Sequence, residues 1–223
     1  MAPIFAAAPG AWHWTQRTYQ DTETAMSFTA QDVKALRDRT GAGMMECKTA
    51  LTETGGDQEK AIDLLRTRGA AKAAKRAERE ATEGTVGAYI HMGGKIGVMV
   101  EVGCETDFVA RNDKFQALVR DIAMHIAAAA PTSVSRDQIP AEVLERERNV
   151  YREQMRESGK PEQIWDKIVD GKVEKFYAES VLLEQPFVKN PDQTVGEMIT
   201  HVSGTTGEKI EVRRFTRYQL GEQ

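Results

Sequence analysis

Two cysteines in 223 residues leave little room for sulfur chemistry. Cys47 and Cys104 stand far apart and lack CxxC spacing, so the sequence offers neither a zinc site nor a disulfide framework. A reduced, cytoplasmic setting is the expectation. Basic charge is not in excess. There are 30 Lys and Arg against 34 Asp and Glu, a formal net charge of -4, and nothing in that balance points to nucleic acid. No apolar run approaches the roughly 20 residues of a membrane-spanning helix, so no membrane partner is expected. A GxxxxGK[ST] phosphate loop is also missing, which argues against a nucleotide hydrolase.

Residues 1–26 lack both periodicity and a basic n-region, so they make a poor signal peptide. They read as a loosely ordered extension in which Trp12 and Trp14 could pack, and Met26 is a candidate start.

Pattern begins at Phe28. Thr29 and Asp32 have the spacing of a helix N-terminal capping box, with Phe28 and Val33 placed to close a hydrophobic staple. Val33 and Leu36 open an apolar face. "TGAGMMECKTAL" breaks that helix at Gly41 and Gly43 and starts a second, with Met44, Cys47 and Leu51 on one face. Asp57 is the expected cap of a third helix, whose apolar face holds Ala61, Leu64 and Leu65 and whose stop is expected at Gly69. "AAKAAKRAERE", residues 70–80, has four basic and two acidic residues. It reads either as a solvated helical linker or as a basic strip facing an acidic partner.

From Thr85 the period becomes two. Val86, Ala88 and Ile90 share one face of a strand, "MGGK" signals a hairpin, and Ile96, Val98, Val100 and Val102 share one face of the return strand. Phe115, Leu118, Val119, Ile122 and Ile126 then mark an amphipathic helix that ends at Pro131. Pro140 and Pro161 open two more helices. The first, 141–157, is heavily charged; the second is expected to bury Ile164, Trp165, Ile168, Phe176 and Tyr177. "QPFVKNPDQTVGEMI" reads as a loop ending in a Thr194/Glu197 capping box. "EKIEVRRFTRYQL" is a strand that completes a three-stranded antiparallel sheet with helices on one side.

Catalytic groups are sparse. Cys104, His91 and Asp107 could be cast as nucleophile, base and orienter, but nothing supplies an oxyanion site, and a cysteine among strand residues behaves as a small buried hydrophobe. Cys104→Ala should be nearly silent. Glu101 and Glu105 read as solvent-facing, and His125 as a packed or surface histidine. That leaves "CETDFVARND", residues 104–113. Here Asp107 and Phe108 occupy a joint before a helix cap at Asn112 or Asp113. Spacing leaves two readings open: Phe108 folds into the core, or it protrudes as an interface anchor.

"RTGAGMMECKTAL", "AAKAAKRA", "CETDFVARND" and "LLEQPFVKNP", in that order, closely resemble bacterial elongation factor Ts over residues 28–220. The resemblance implies an α+β chain: a ubiquitin-associated-like three-helix bundle over 27–69, a basic helical linker over 70–84, and a core and dimerisation domain over 85–223. It implies a guanine-nucleotide exchange factor for elongation factor Tu, with no covalent chemistry and no cofactor or metal of its own. In the family the Thr-Asp-Phe-Val motif, here Thr106, Asp107, Phe108 and Val109, enters the partner between two helices and helps dislodge its magnesium ion. His91, Lys48, Lys75 and Arg76 match further partner contacts. Long members carry two core repeats and a helical hairpin insertion. This sequence has one β-hairpin and one amphipathic helix before its C-terminal segment, and so resembles the short, homodimeric form. The alternative to weigh against it is a peptide- or ubiquitin-like-binding module acting through the bundle.

Overall fold

The computed structural model describes residues 28–159 and 161–222. The readings made for residues 1–26, including Trp12, Trp14 and Met26, lie outside them.

Three helices form the N-terminal bundle: α1 (Ala30–Thr40), α2 (Met44–Glu53) and α3 (Gln58–Arg76). The capping box at Thr29 and Asp32 is present, with the Thr29 amide donating to Asp32 Oδ2 at 2.7 Å. Gly41 ends α1 with φ of 63°, a left-handed conformation in which a Cβ is costly. Asp57 caps α3 by accepting the Lys60 amide at 3.1 Å. Val33, Leu36, Cys47, Ala50, Leu51 and Ala61 form the bundle's core, and Phe28, Leu64 and Leu65 pack on its rim.

Two expectations fail here. Met44 lies outside this core, because the buried face of α2 is Cys47, Ala50 and Leu51, a tighter stripe than the one expected. Gly69 does not stop α3, which runs on to Arg76. Glycine ends a helix only where the chain needs a left-handed residue, and Gly69 sits among strong helix formers, with no such turn to make.

The second layer is an antiparallel sheet of β1 (Glu83–Ile90), β2 (Ile96–Cys104) and β5 (Ile210–Gln219), ordered β1-β2-β5. Helix α5 (Asp113–Ala129), capped by the Asn112 side chain, covers one face of it. The approach is close enough that a Cβ on Gly87 would lie 2.3 Å from Val119 Cγ1. Val98, Val100 and Val102 face α5 and join Phe115, Leu118, Ile122 and Ile126 in the main core. The apolar residues of β1 face the other way. Val86 pairs with Glu101 and Ala88 with Met99, so Val86, Ala88 and Ile90 stand on the uncovered side. A bulge in β5 opposite Glu101/Val102 makes Arg213 an extra residue, so both Val212 and Phe215 turn inward while Arg214, Thr216 and Tyr218 turn outward.

Between these layers the chain adds α4 (Asp107–Ala110) before α5, and then α6 (Ala141–Glu157) and α7 (Trp165–Ser180). The last two make a helical hairpin with its own small core of Met155, Val169 and Val173. These are the two helices expected after Pro140 and Pro161, the first with the expected bounds. The expected α7 face is also shifted: Trp165, Ile168, Phe176 and Tyr177 are half-buried, Ile164 is exposed, and Val169 and Val173 are the buried pair. The loop that follows contains a small ladder of β3 (Pro186–Phe187) and β4 (Asn190–Thr194). Then α8 (Val195–Thr206) begins with the expected Thr194/Glu197 capping box. The bundle docks on α8 through Arg66 to Glu197 and through Arg76 Nη1 to the Ser203 carbonyl oxygen at 3.3 Å.

Candidate functional site

At the end of β2 the chain turns through Thr106 into the single-turn helix α4. Thr106 caps it, its hydroxyl oxygen facing the Val109 amide at 3.4 Å. A one-turn helix presents its residues in three directions, and the sequence uses each differently. Ala110 is buried, Val109 packs half-buried against the main core, and Phe108 points away from the protein with 82% of its surface exposed. Of the two readings open from spacing, Phe108 takes the outward one. Asp107 pairs with Arg111 at 3.1 Å, an i,i+4 contact.

An exposed Phe here is not a loose one. Asn112 caps α5 two residues beyond Ala110, and Gln116 Nε2 donates to the Ala110 carbonyl oxygen at 2.6 Å. The ring stands on backbone anchored at both ends.

The basic residues fall into two groups. Arg76 ends α3 close to the motif. With the Lys209 amide as the main cause, and then Arg79 and Arg76, the Glu105 carboxyl is held below its usual range. Lys75 is exposed on α3. Lys48 is exposed on α2, one helical turn from Met44 and Met45, which are exposed as well. These two methionines were missed as surface residues. The signal was available in the pattern: Cys47, Ala50 and Leu51 already fill the helix's inward stripe, which leaves the Met doublet outside. Lys72 pairs with Glu46 and ties α3 to α2 behind them.

His91 lies elsewhere. It follows β1 at the hairpin turn, where its Nδ1 is 3.1 Å from the Tyr89 hydroxyl. Thr106 lies past the other end of β2. Nine residues of strand, at about 3.3 Å each, separate the two by more than roughly 25 Å on one chain. His91 and Phe108 of one protomer therefore do not form one compact site.

The same separation dismantles a Cys104–His91 catalytic pair. Burial pushes the Cys104 thiol up to about 11, and its Sγ–H donates to the Thr106 carbonyl oxygen at 3.2 Å. It is a packed residue, not a nucleophile. Glu101 and Glu105 are half-buried and paired, Glu101 with Arg213 and Arg214, Glu105 with Arg79, where solvent-facing carboxylates were expected. His125 is fully buried between Gln185 and the Val188 amide. Among the described residues, no group of three or more His, Cys, Asp or Glu is placed to hold a metal ion.

The second surface feature is the uncovered side of the sheet. Val86 (60% exposed), Ile90 (67%), Met99 (56%) and Tyr218 (72%) lie on one side of three adjacent strands. Among the described residues, no helix covers these four apolar side chains, which share the face with Glu101 and Arg214.

Comparison with known proteins converges on one family. A family model described as Elongation factor TS matches residues 22–222. A relative from Geobacter sulfurreducens named Elongation factor Ts is 61% identical over 197 residues, covering 88% of this chain and 91% of the relative. Relatives of the same name from Heliobacterium modesticaldum and Desulfosudis oleivorans are 60% and 57% identical, covering 87% and 88% of this chain and 90% and 99% of their own lengths.

Proposed function

This chain belongs to the elongation factor Ts family, and from that membership we propose that Thr106, Asp107, Phe108 and Val109 are the wedge through which it acts on elongation factor Tu. The chain is a translation elongation factor, and guanine-nucleotide exchange on elongation factor Tu is the family's function. Such a protein needs no covalent chemistry. It must bind the nucleotide-free partner more tightly than the loaded one, and linkage then requires the nucleotide to weaken its binding by the same factor.

One observation carries the reading: a large aromatic side chain stands exposed on an anchored turn. Exposing Phe forgoes roughly 1.5–3 kcal/mol of burial, which a partner's pocket can recover. Magnesium bridges protein and phosphates in a nucleotide site. A ring and a carboxylate driven in beside that site would disturb the ion and loosen GDP. Lys48, Lys75 and Arg76 serve as further contacts from the bundle, joined by Met44 and Met45.

We further propose a homodimer closed by the uncovered sheet faces, two copies binding two molecules of elongation factor Tu in the cytoplasm. A two-fold axis there would bury Val86, Ile90, Met99 and Tyr218 against their counterparts. It also accounts for the separation of His91 from Phe108, since each partner molecule can then take its contacts from both protomers. GDP release from elongation factor Tu, measured with the wild-type chain and with Phe108→Ala, tests the wedge. Equal rates from two folded proteins would reject it.

A further inference from the structure

The turn that carries Phe108 is tied to a segment more than 100 residues away. Glu208 lies in the connection between α8 and β5. Its Oε2 accepts the backbone N–H groups of Glu105 and Thr106, each at 3.0 Å, and its Oε1 accepts the Thr106 hydroxyl at 2.6 Å. The arrangement is reciprocal: Glu105 Oε1 accepts the Lys209 N–H at 2.6 Å. The Thr106 carbonyl oxygen accepts from Cys104 Sγ at 3.2 Å and from the Ala110 N–H at 3.1 Å. Every polar atom of Thr106 is thus engaged.

We propose that Glu208 is a positioning residue for nucleotide exchange, fixing the orientation of the Phe108 wedge through Thr106; the proposal rests on the wedge reading above. The physical need is plain. One helical turn fixes several backbone dihedrals for a single hydrogen bond, so α4 cannot order itself. A carboxylate suits the task, because two charged oxygens can accept three bonds at once, each stronger than a neutral one. Since the clamp orders the turn during folding, the wedge meets elongation factor Tu already aimed, and binding loses less free energy to ordering. Without it, Phe108 would still be present but would sample directions that miss the partner's pocket.

The test uses the full chain with elongation factor Tu loaded with a fluorescent GDP analogue. It compares Glu208→Ala, Glu208→Gln, Phe108→Ala and the Glu208→Ala/Phe108→Ala double variant. Glu208→Ala is expected to slow release about tenfold, because the unclamped ring must be ordered when the partner binds. Glu208→Gln keeps a carbonyl oxygen for the two amides and should recover most of that loss. The double variant should be slowed by less than the product of the two single losses, because Glu208 acts through the turn that carries the ring. Amide hydrogen exchange should show Glu105 and Thr106 losing protection in Glu208→Ala while α5 keeps its own. If Glu208→Ala does not fold, Glu208→Asp, whose shorter carboxylate cannot reach both amides, supplies the lesion. Normal release by a Glu208 variant whose two amides have lost protection would overturn the proposal and leave the wedge standing. Multiplying losses in the double variant would overturn it too. Normal release by Phe108→Ala would remove both.

Discussion

Gly41 abuts the His201 imidazole so closely that a Cβ on Gly41 would lie 2.8 Å from Nε2. This contact joins the first turn of the bundle to α8, and Thr205 adds a hydroxyl 3.5 Å from the Gly41 carbonyl oxygen. Gly41→Ala should cost about 1–2 kcal/mol for its left-handed backbone alone. Gly55, with φ of 64° and open space around its missing Cβ, shares only that backbone cost. Calorimetry should therefore show a larger fall in Tm for Gly41→Ala than for Gly55→Ala. Equal falls would mean that His201 swings aside and that the bundle is not seated by this contact.

Met99 occupies the middle of the uncovered sheet face, flanked by Ala88 on β1 and Thr216 on β5. Met99→Lys puts a charge where two copies would meet and leaves the core untouched. Sedimentation should give twice 24.8 kDa for the wild-type chain and 24.8 kDa for the variant, with equal thermal stability of the fold at low concentration. A wild-type chain that sediments as a monomer at micromolar concentration would contradict the dimer.

Much of this was legible in the sequence where local chemistry decides the outcome. Thr29, Asp57, Asn112 and Thr194 announce their caps through side-chain oxygens that can reach only nearby amides. What escaped depends on distant partners. Periodicity grouped Val86, Ala88 and Ile90 correctly, yet it could not say that they face away from Val98, Val100 and Val102, because that is set by register. The bulge at Arg213 was hidden for the same reason. Gly69 and Met44 were misplaced because one residue's preference yielded to a longer helix and a tighter stripe. At the candidate site, the motif could be read, but not the direction of Phe108. That direction depends on Val109 and Ala110 being the pair that packs inward, and on Glu208, which local spacing does not connect to Thr106.

His125 gives the fold a pH dependence. The Val188 N–H faces Nδ1 at 3.3 Å, so the proton sits on Nε2 and is donated to Gln185 Oε1 at 2.9 Å. Burial lowers the folded-state pKa below the ordinary 6.5, with Gln185 opposing it weakly. Above pH 6.5 both folded and unfolded states are neutral here and stability is full. Below it the unfolded chain gains a proton that the folded one refuses, so stability falls by up to about 1.4 kcal/mol per pH unit until the lowered pKa is reached. His201 is lowered in the same direction, by desolvation and by Lys114, so the informative quantity is a difference. Urea denaturation at pH 7.5 and 5.5 should show a smaller loss on acidification for His125→Leu than for the wild-type chain. Identical losses would place the sensitivity elsewhere.

Phe108→Ala is the most direct test. With 82% of the residue exposed, its loss should change folding stability by no more than about 0.5 kcal/mol, the range of surface substitutions. Truncating a hot-spot aromatic commonly costs about 2 kcal/mol or more in the complex. At about 1.4 kcal/mol per tenfold, that is an order of magnitude or more. Stopped-flow release of labelled GDP from elongation factor Tu should therefore be at least tenfold slower with the variant than with the wild-type chain, at matched circular dichroism. Release at the wild-type rate by a folded Phe108→Ala chain would contradict the wedge.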